Sequence, residues 1–139
     1  MLDFTYHLMN MQALFSRQLM HGLEQSEISV GQPKVLAYLK SHEGKCQKDI
    51  AQACHLEPGS LTVLLTRMEK LGMVERRSEG GNRKTRYVYL TDYGRQLAEI
   101  VVARFFAVEE AAFTGISDEE QEFLFRICGK VLENLQKDL

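Results

Sequence analysis

The sequence predicts a mainly α fold with one small β-hairpin, in which a helix-turn-helix is followed by a wing and flanked by long helices. Three observations predict it. Residues 58–71 carry an apolar stripe with a start and a stop signal; residues 73–90 hold two strand-like runs around a basic loop; residues 3–23 and 92–135 are amphipathic at helical spacing. The 139 residues suit one domain with a real core, and 45% hydrophobic with 26% charged residues are those of a soluble globular chain.

The first helix runs from Asp3 to Leu23, because Phe4, Leu8, Met11, Leu14, Phe15 and Leu19 recur at three- and four-residue steps. Met9, Met20 and Leu23 widen its apolar face beyond what one small core requires, and Gly22 loosens its last turn. Ser29-Val-Gly-Gln32 fits a capping box, the serine accepting from the N3 amide and Gln32 reaching back. The second helix then continues through Val35, Leu36, Tyr38 and Leu39 to near Ser41, with Pro33 tolerated in its first turn. Gly44 breaks the chain, Cys46 takes the N-cap of the third helix, and Gln47 to Ala53 directs Ile50, Ala51 and Cys54 inward. His55, Leu56 and Glu57 make the turn.

Glu57 stands at the N-cap of the fourth helix and Pro58 at its first position, where a missing N–H costs nothing. Leu61, Leu64, Leu65, Met68 and Leu71 form its buried stripe, and Gly72 is the left-handed stop. The opposite face carries Gly59, Ser60, Thr62, Val63, Thr66, Arg67 and Lys70, short at the N-terminus and basic toward the C-terminus. Such a face enters a major groove nose first, with hydroxyls for base edges, a valine for a thymine methyl and cations for phosphate or guanine. An ordinary solvated helix face explains the same pattern when it is taken alone.

The strands Met73–Arg77 and Arg86–Leu90 turn Val74, Val88 and Leu90 inward. The loop between them and its margins hold Arg76, Arg77, Arg83, Lys84 and Arg86 against Glu79 alone, which suits phosphate or minor-groove contact. Thr91 caps a helix from Asp92 to Phe113 with Leu97, Ile100, Val101, Phe105, Phe106 and Val108 apolar, and Gly115 breaks it. Ser117 to Glu120 is a second capping box, opening a helix with Phe123, Leu124, Ile127, Val131, Leu132 and Leu135. The flanking helices carry more apolar surface than the wing and its helices can cover, so a homodimer is expected.

Charge is unevenly placed. Residues 58–95 carry eight cations and four anions, whereas residues 96–139 carry four and nine, within a net formal charge of −2. Cation excess confined to the reading head is the footprint of a DNA binder with an acidic assembly region.

The Gln47-Lys-Asp-Ile-Ala51 helix opening, the run Arg67-Met-Glu-Lys-Leu-Gly-Met-Val-Glu-Arg76 and the Leu90-Thr91-x-x-Gly94 ending resemble the multiple-antibiotic-resistance regulator (MarR) family of bacterial winged-helix transcription factors. The resemblance covers nearly the whole chain. It implies a cytoplasmic, ligand-responsive homodimeric repressor of a pseudo-palindromic operator, with 1–28 and 92–139 as dimerisation helices and 29–91 as the DNA-binding domain. Double-stranded DNA, a second copy and a small-molecule effector are the implied partners, with no cofactor. The family's base and phosphate contacts fall here on Gly59, Ser60, Thr62, Val63, Thr66 and Arg67, and its wing motif on Asn82, Arg83 and Lys84, with Arg86 beside them. The family's wing aspartate is absent and its arginine has become Lys84, a poorer minor-groove wedge because ammonium is strongly hydrated. Val63, where relatives carry longer polar side chains, suggests an A/T-leaning site.

Other classes are weaker. A zinc-responsive regulator is the alternative, with His21 and Glu24 three apart on one helix face and His42, Glu43, Glu109 and Glu110 near the helix junctions, but zinc needs three or four converging ligands and no two histidines share a ligand spacing. A winged helix used for protein contact would lack the basic face. No phosphate loop, catalytic carboxylate pair or nucleophile elbow suggests an enzyme. No run approaches the roughly 18 apolar residues of a membrane span. Of three cysteines, Cys54 and Cys128 are expected to be small buried hydrophobes, and Cys46 would feel a helix dipole without the further environment a redox sensor needs. Met11, Phe15, Tyr38 and Phe106 could line a ligand crevice, but core packing is the expected role.

Overall fold

The computed structural model describes residues 2–79, 81 and 84–137. The described elements run α1 (Asp3–His21), α2 (Gln32–Ser41), β1 (Lys45–Cys46), α3 (Gln47–Ala53), α4 (Pro58–Lys70), β2 (Val74–Ser78), β3 (Arg86–Leu90), α5 (Asp92–Ala112) and α6 (Asp118–Gln136). The chain divides into two compact units, Met1–Phe106 and Ala107–Leu139.

The first unit holds the core. Leu36, Leu39, Ile50, Leu61, Leu65, Met68, Met73 and Val88 are each completely buried, so α2, α3, α4 and the strands share one apolar interior. The antiparallel sheet has the order β1-β3-β2, with Val74 opposite Leu90 and Arg76 opposite Val88. Alternation therefore sends Val74, Arg76, Val88 and Leu90 to the inner side. The third strand, β1, is only a two-residue pairing of Lys45 with Val88 and Cys46 with Tyr87, too short to show a period in the sequence.

Both ends of the helix-turn-helix close by the same backbone device. At the end of α3 the Leu56 N–H donates to the Ala51 carbonyl at 2.9 Å and the His55 N–H to Gln52 at 3.4 Å, with His55 left-handed at φ 52°. After α4 the Met73 N–H donates to Met68 at 2.9 Å and the Gly72 N–H to Glu69 at 3.0 Å, with Gly72 at φ 76°. This six-to-one and five-to-two pattern satisfies carbonyls a helix end would leave orphaned, and drops the next apolar side chain into the core.

Several local expectations need correction. Ser29 does not cap α2: the N-cap is Gly31, left-handed at φ 93°, and no side chain caps it. Half of the box survives, as the Ser29 N–H donates to Gln32 Oε1 at 3.0 Å, because residues 29–32 close as a turn, with the Gln32 N–H on the Ser29 carbonyl at 3.1 Å. Cys46 does occupy an N-cap, but its thiol makes no cap hydrogen bond. Cys54 is buried as expected and desolvation pushes its thiol up, whereas Cys128 is exposed. The reason lies in α6, a 19-residue helix with the expected Ser117–Glu120 capping box and no buried residue at all. Phe123, Leu124, Ile127, Leu132 and Leu135 are all exposed there.

The wing is joined to α5 by a close approach. Thr91 Oγ accepts from the Gly94 N–H at 3.0 Å and donates to the Gly72 carbonyl at 2.5 Å, so one hydroxyl caps α5 and holds the turn after α4. A Cβ on Gly94 would overlap the Met73 carbonyl oxygen, a backbone atom that itself accepts from the Thr91 N–H at 3.1 Å. Gly94→Ala is therefore expected to lower stability by roughly 2–3 kcal/mol, the scale of an overpacked core. A lowered urea midpoint with an unchanged slope checks this; an unchanged midpoint would refute the close approach.

Candidate nucleic-acid interface

Helix α4 buries Leu61, Leu65 and Met68 and turns the other side outward. Gly59, Ser60, Thr62, Val63 and Arg67 are exposed and Thr66 is half-buried, so the expected reading residues share one accessible face. Nothing lies within 4 Å of the place a Cβ would take on Gly59, leaving the helix nose open to close approach. Arg67 and Lys70 lie in the last turn, where cations also favour the negative end of the helix dipole.

The outer face is not a row of independent side chains. Arg76, on the inner side of β2 with its side chain only 11% exposed, reaches back to α4. Its Nη2 donates to Glu69 Oε1 at 3.0 Å and to Thr66 Oγ1 at 3.2 Å, while Nη1 donates to Gln47 Oε1 at 3.5 Å. The Arg76 backbone N–H donates to the other Glu69 oxygen at 3.1 Å. Gln47, at the start of α3, donates in turn to Thr62 Oγ1 at 3.3 Å. One polar chain thus ties α3, α4 and β2 together, and the guanidinium hydrogen bond holds the Glu69 carboxyl below its usual range.

The wing cations divide by environment. Arg76 is committed to Glu69. Arg77 lies 4.2 Å from the centre of the Tyr89 ring and pairs with Glu75 at 2.8 Å. Glu79 accepts from the Tyr89 hydroxyl, which raises that phenol above its ordinary range. Lys84 and Arg86 are exposed on the wing. Asn82 and Arg83 lie outside the described residues, so that part of the expected wing contact has no structural account.

Arg76, counted among the wing cations suited to phosphate, is instead nearly buried against Glu69, and Gln47 was not expected at the site at all. Strand alternation already places Arg76 on the same side as Val74, which signals that this cation faces inward; nothing local reveals that Gln47, 29 positions earlier, meets it.

Elsewhere in the first unit an open cavity of about 600 Å³ lies beside α1, lined by Leu8, Met11, Phe15, Leu19, Met20, Val30, Pro33 and Phe105 among others. Phe105 stacks on Phe15 at 6.2 Å. The core role expected for Met11 and Phe106 fails, since they are 59% and 69% exposed, and Tyr38 stacks on His42 instead of lining the cavity. Among the described residues no three His, Cys, Asp or Glu side chains gather as a metal site; His21 Nδ1 meets Glu24 at 2.7 Å. No described helix is long and apolar enough to cross a membrane.

A β-hairpin wing after a helix-turn-helix, completed into a three-stranded sheet by β1 and with helices before and after it, defines a winged-helix protein. The structure resembles that of S. aureus MepR in complex with DNA, with a TM-score of 0.89 and 25% identity over 96% of this chain and 98% of that one. The fold is also that of the transcriptional regulator SlyA, at a TM-score of 0.89 and 21% identity over 99% and 96% of the two chains. The HTH-type transcriptional repressor MdtR of Bacillus subtilis is 25% identical over 133 residues, which is 94% of this chain and 86% of MdtR. Residues 26–84 match the model of the MarR family.

The Glu69 carboxylate gives this site a pH signature. Its folded pKa lies below the unfolded value, so its contribution is present above the ordinary carboxylate range and is lost as pH falls through the lowered folded value. Wild type is expected to be more stable than Glu69→Gln at pH 6–8, with the gap closing below about pH 4. Urea midpoints measured across that range check it, and a gap that persists in acid would assign the difference to packing instead.

Proposed function

We propose that this protein is a sequence-specific regulator of transcription that binds double-stranded DNA as a homodimer and acts as a repressor. The observation that carries the reading is the accessible α4 face, held beside the wing through Arg76 and Glu69. Gly59 allows close approach, while Ser60, Thr62, Val63 and Thr66 stand where base edges would lie in a major groove. Arg67 takes phosphate or guanine. Lys84 and Arg86, with Arg83, take phosphates or the minor groove beside them. MepR has been solved with DNA and MdtR is named a repressor, which supports the same role here.

Residues 29–91 are the reading head in this proposal, and residues 1–28 and 92–139 carry dimerisation. The apolar side chains that α6 leaves exposed, together with Phe4, Leu8 and Leu14 of α1, support a second copy as their cover. A C2 dimer then presents two α4 helices to half-sites about one DNA turn apart. A small apolar effector would suit the cavity beside α1. None of these roles calls for catalysis or a cofactor.

A binding selection on genomic fragments at two salt concentrations tests the function. An inverted repeat should be recovered, and affinity should fall about a thousandfold or more between 50 and 200 mM salt if six to ten phosphates are neutralised. Lys84→Ala should weaken binding to all sequences alike and lower the salt slope by about one. Retention that is indifferent to both sequence and salt would instead favour a protein partner. Leu124→Asp with Ile127→Asp should convert a sedimenting dimer to monomer; a dimer that survives places the interface elsewhere.

A further inference from the structure

A hydroxyl group has one proton and two lone pairs. Thr62 gives its proton to the Pro58 carbonyl at 2.9 Å and one lone pair to Gln47 Nε2 at 3.3 Å. Thr66 gives its proton to the Thr62 carbonyl at 2.8 Å and one lone pair to Arg76 Nη2 at 3.2 Å. Both partners are themselves anchored, Gln47 by Arg76 and Arg76 by Glu69. The two hydroxyls in the middle of the reading face are therefore bound from both sides.

That commitment limits what they can read. Guanine N7 and O6, adenine N7 and thymine O4 are all acceptors, and reading them requires a proton that each threonine has already given to its own helix. Each threonine retains one lone pair and a γ-methyl. Beside them Val63 is 72% exposed and has no polar side-chain atom. We propose that Gln47 and Arg76 act as positioning residues that hold the Thr62 and Thr66 hydroxyls out of base donation, so that the middle of the α4 face recognises thymine methyl groups by apolar contact. This deepens the DNA-binding reading above and rests on it.

The same network has two further consequences that agree with it. Arg76 is a cation withdrawn from the DNA, since its charge is paired with Glu69 and its side chain is nearly buried. Gln47, whose amide would otherwise suit adenine, is held at both ends, its nitrogen donating to Thr62 and its oxygen accepting from Arg76. Donors are thus removed from the centre of the face, while the cations Arg67 on α4 and Arg86 on the wing stand exposed at its edges. The preferred half-site is expected to be A·T-rich at its centre.

Deoxyuridine removes the methyl group of thymine and nothing else, so it tests this in the DNA without touching the protein. The full-length wild type is first used to select its preferred site from a randomised duplex library, and each thymine of a half-site is then replaced in turn. One or two positions per half-site should lose about fourfold in affinity, the worth of one buried methyl-sized group. In Thr62→Val and Thr66→Val, which exchange the hydroxyl for a methyl, this penalty should persist. In Thr62→Ser and Thr66→Ser, which keep the hydroxyl and drop the methyl, the penalty should fall at the position each residue covers. Gln47→Ala removes the donor that fixes the orientation of the Thr62 hydroxyl, so the hydroxyl can turn toward the DNA, and it should broaden the selected sequence at one base pair per half-site, a change that a merely structural role would not produce. The proposal is overturned if deoxyuridine has no effect at any position. It is equally overturned if the valine variants lose about tenfold in specificity while the serine variants keep it, because that outcome means hydroxyl readout. A wild type that selects no sequence at all removes the DNA-binding reading itself, and this is seen before any substitution is made.

Discussion

An arginine placed on the inner side of a small sheet must find a carboxylate, because an unpaired charge there would cost several kcal/mol. Arg76 finds Glu69, and the rest of the reading head follows from where that carboxylate sits. Glu69 lies in the last turn of α4, so the pair clamps the middle of β2 to the end of the helix. Gly72 makes the sharp reversal between them, and Thr91 ties the same reversal to the start of α5. The wing therefore stands at a set angle beside α4, which a helix and hairpin joined by loop alone would not guarantee.

The same pair has a chemical consequence for the surface. Its guanidinium has hydrogen-bond donors beyond those Glu69 takes, and these reach Thr66 and Gln47 and, through Gln47, Thr62. In the proposed function, stability and recognition chemistry are coupled in one network. A residue whose first duty is to neutralise a half-buried carboxylate also decides which atoms of the neighbouring helix remain available to a partner. Such coupling is typical of polar networks, in which each member's geometry depends on its neighbours being satisfied.

The second unit follows a different rule. Its helix α6 has both ends specified by local chemistry, with Ser117 and Glu120 reciprocally bonded, yet buries no side chain. Most helical stability comes from tertiary packing, so the apolar stripe that α6 leaves exposed supports the second copy proposed above as its cover. Cys128 illustrates the point. Its apolar neighbours in sequence suggested a core position, and its exposure shows that an amphipathic pattern reports that a face will be buried without saying by whom.

What the sequence by itself determined was most of the local structure. Pro58 and Gly72 delimit α4, the three- and four-residue apolar steps choose its buried side, and alternation in β2 and β3 selects Val74, Val88 and Leu90 for the core. These are properties of residues within a few positions of one another, governed by backbone sterics and helical or strand period. Where even local reading failed, as at Ser29, a left-handed glycine at residue 31 and a tight turn displaced the cap by two positions. What only the tertiary structure decided was the company each functional side chain keeps. Arg76 and Gln47 are 29 positions apart and Arg76 and Thr66 are 10 apart, and no propensity or spacing rule brings such pairs together. Whether a threonine on the reading face has a proton to offer depends on where its hydrogen bonds go, and the folded chain, not the residue type, sets that.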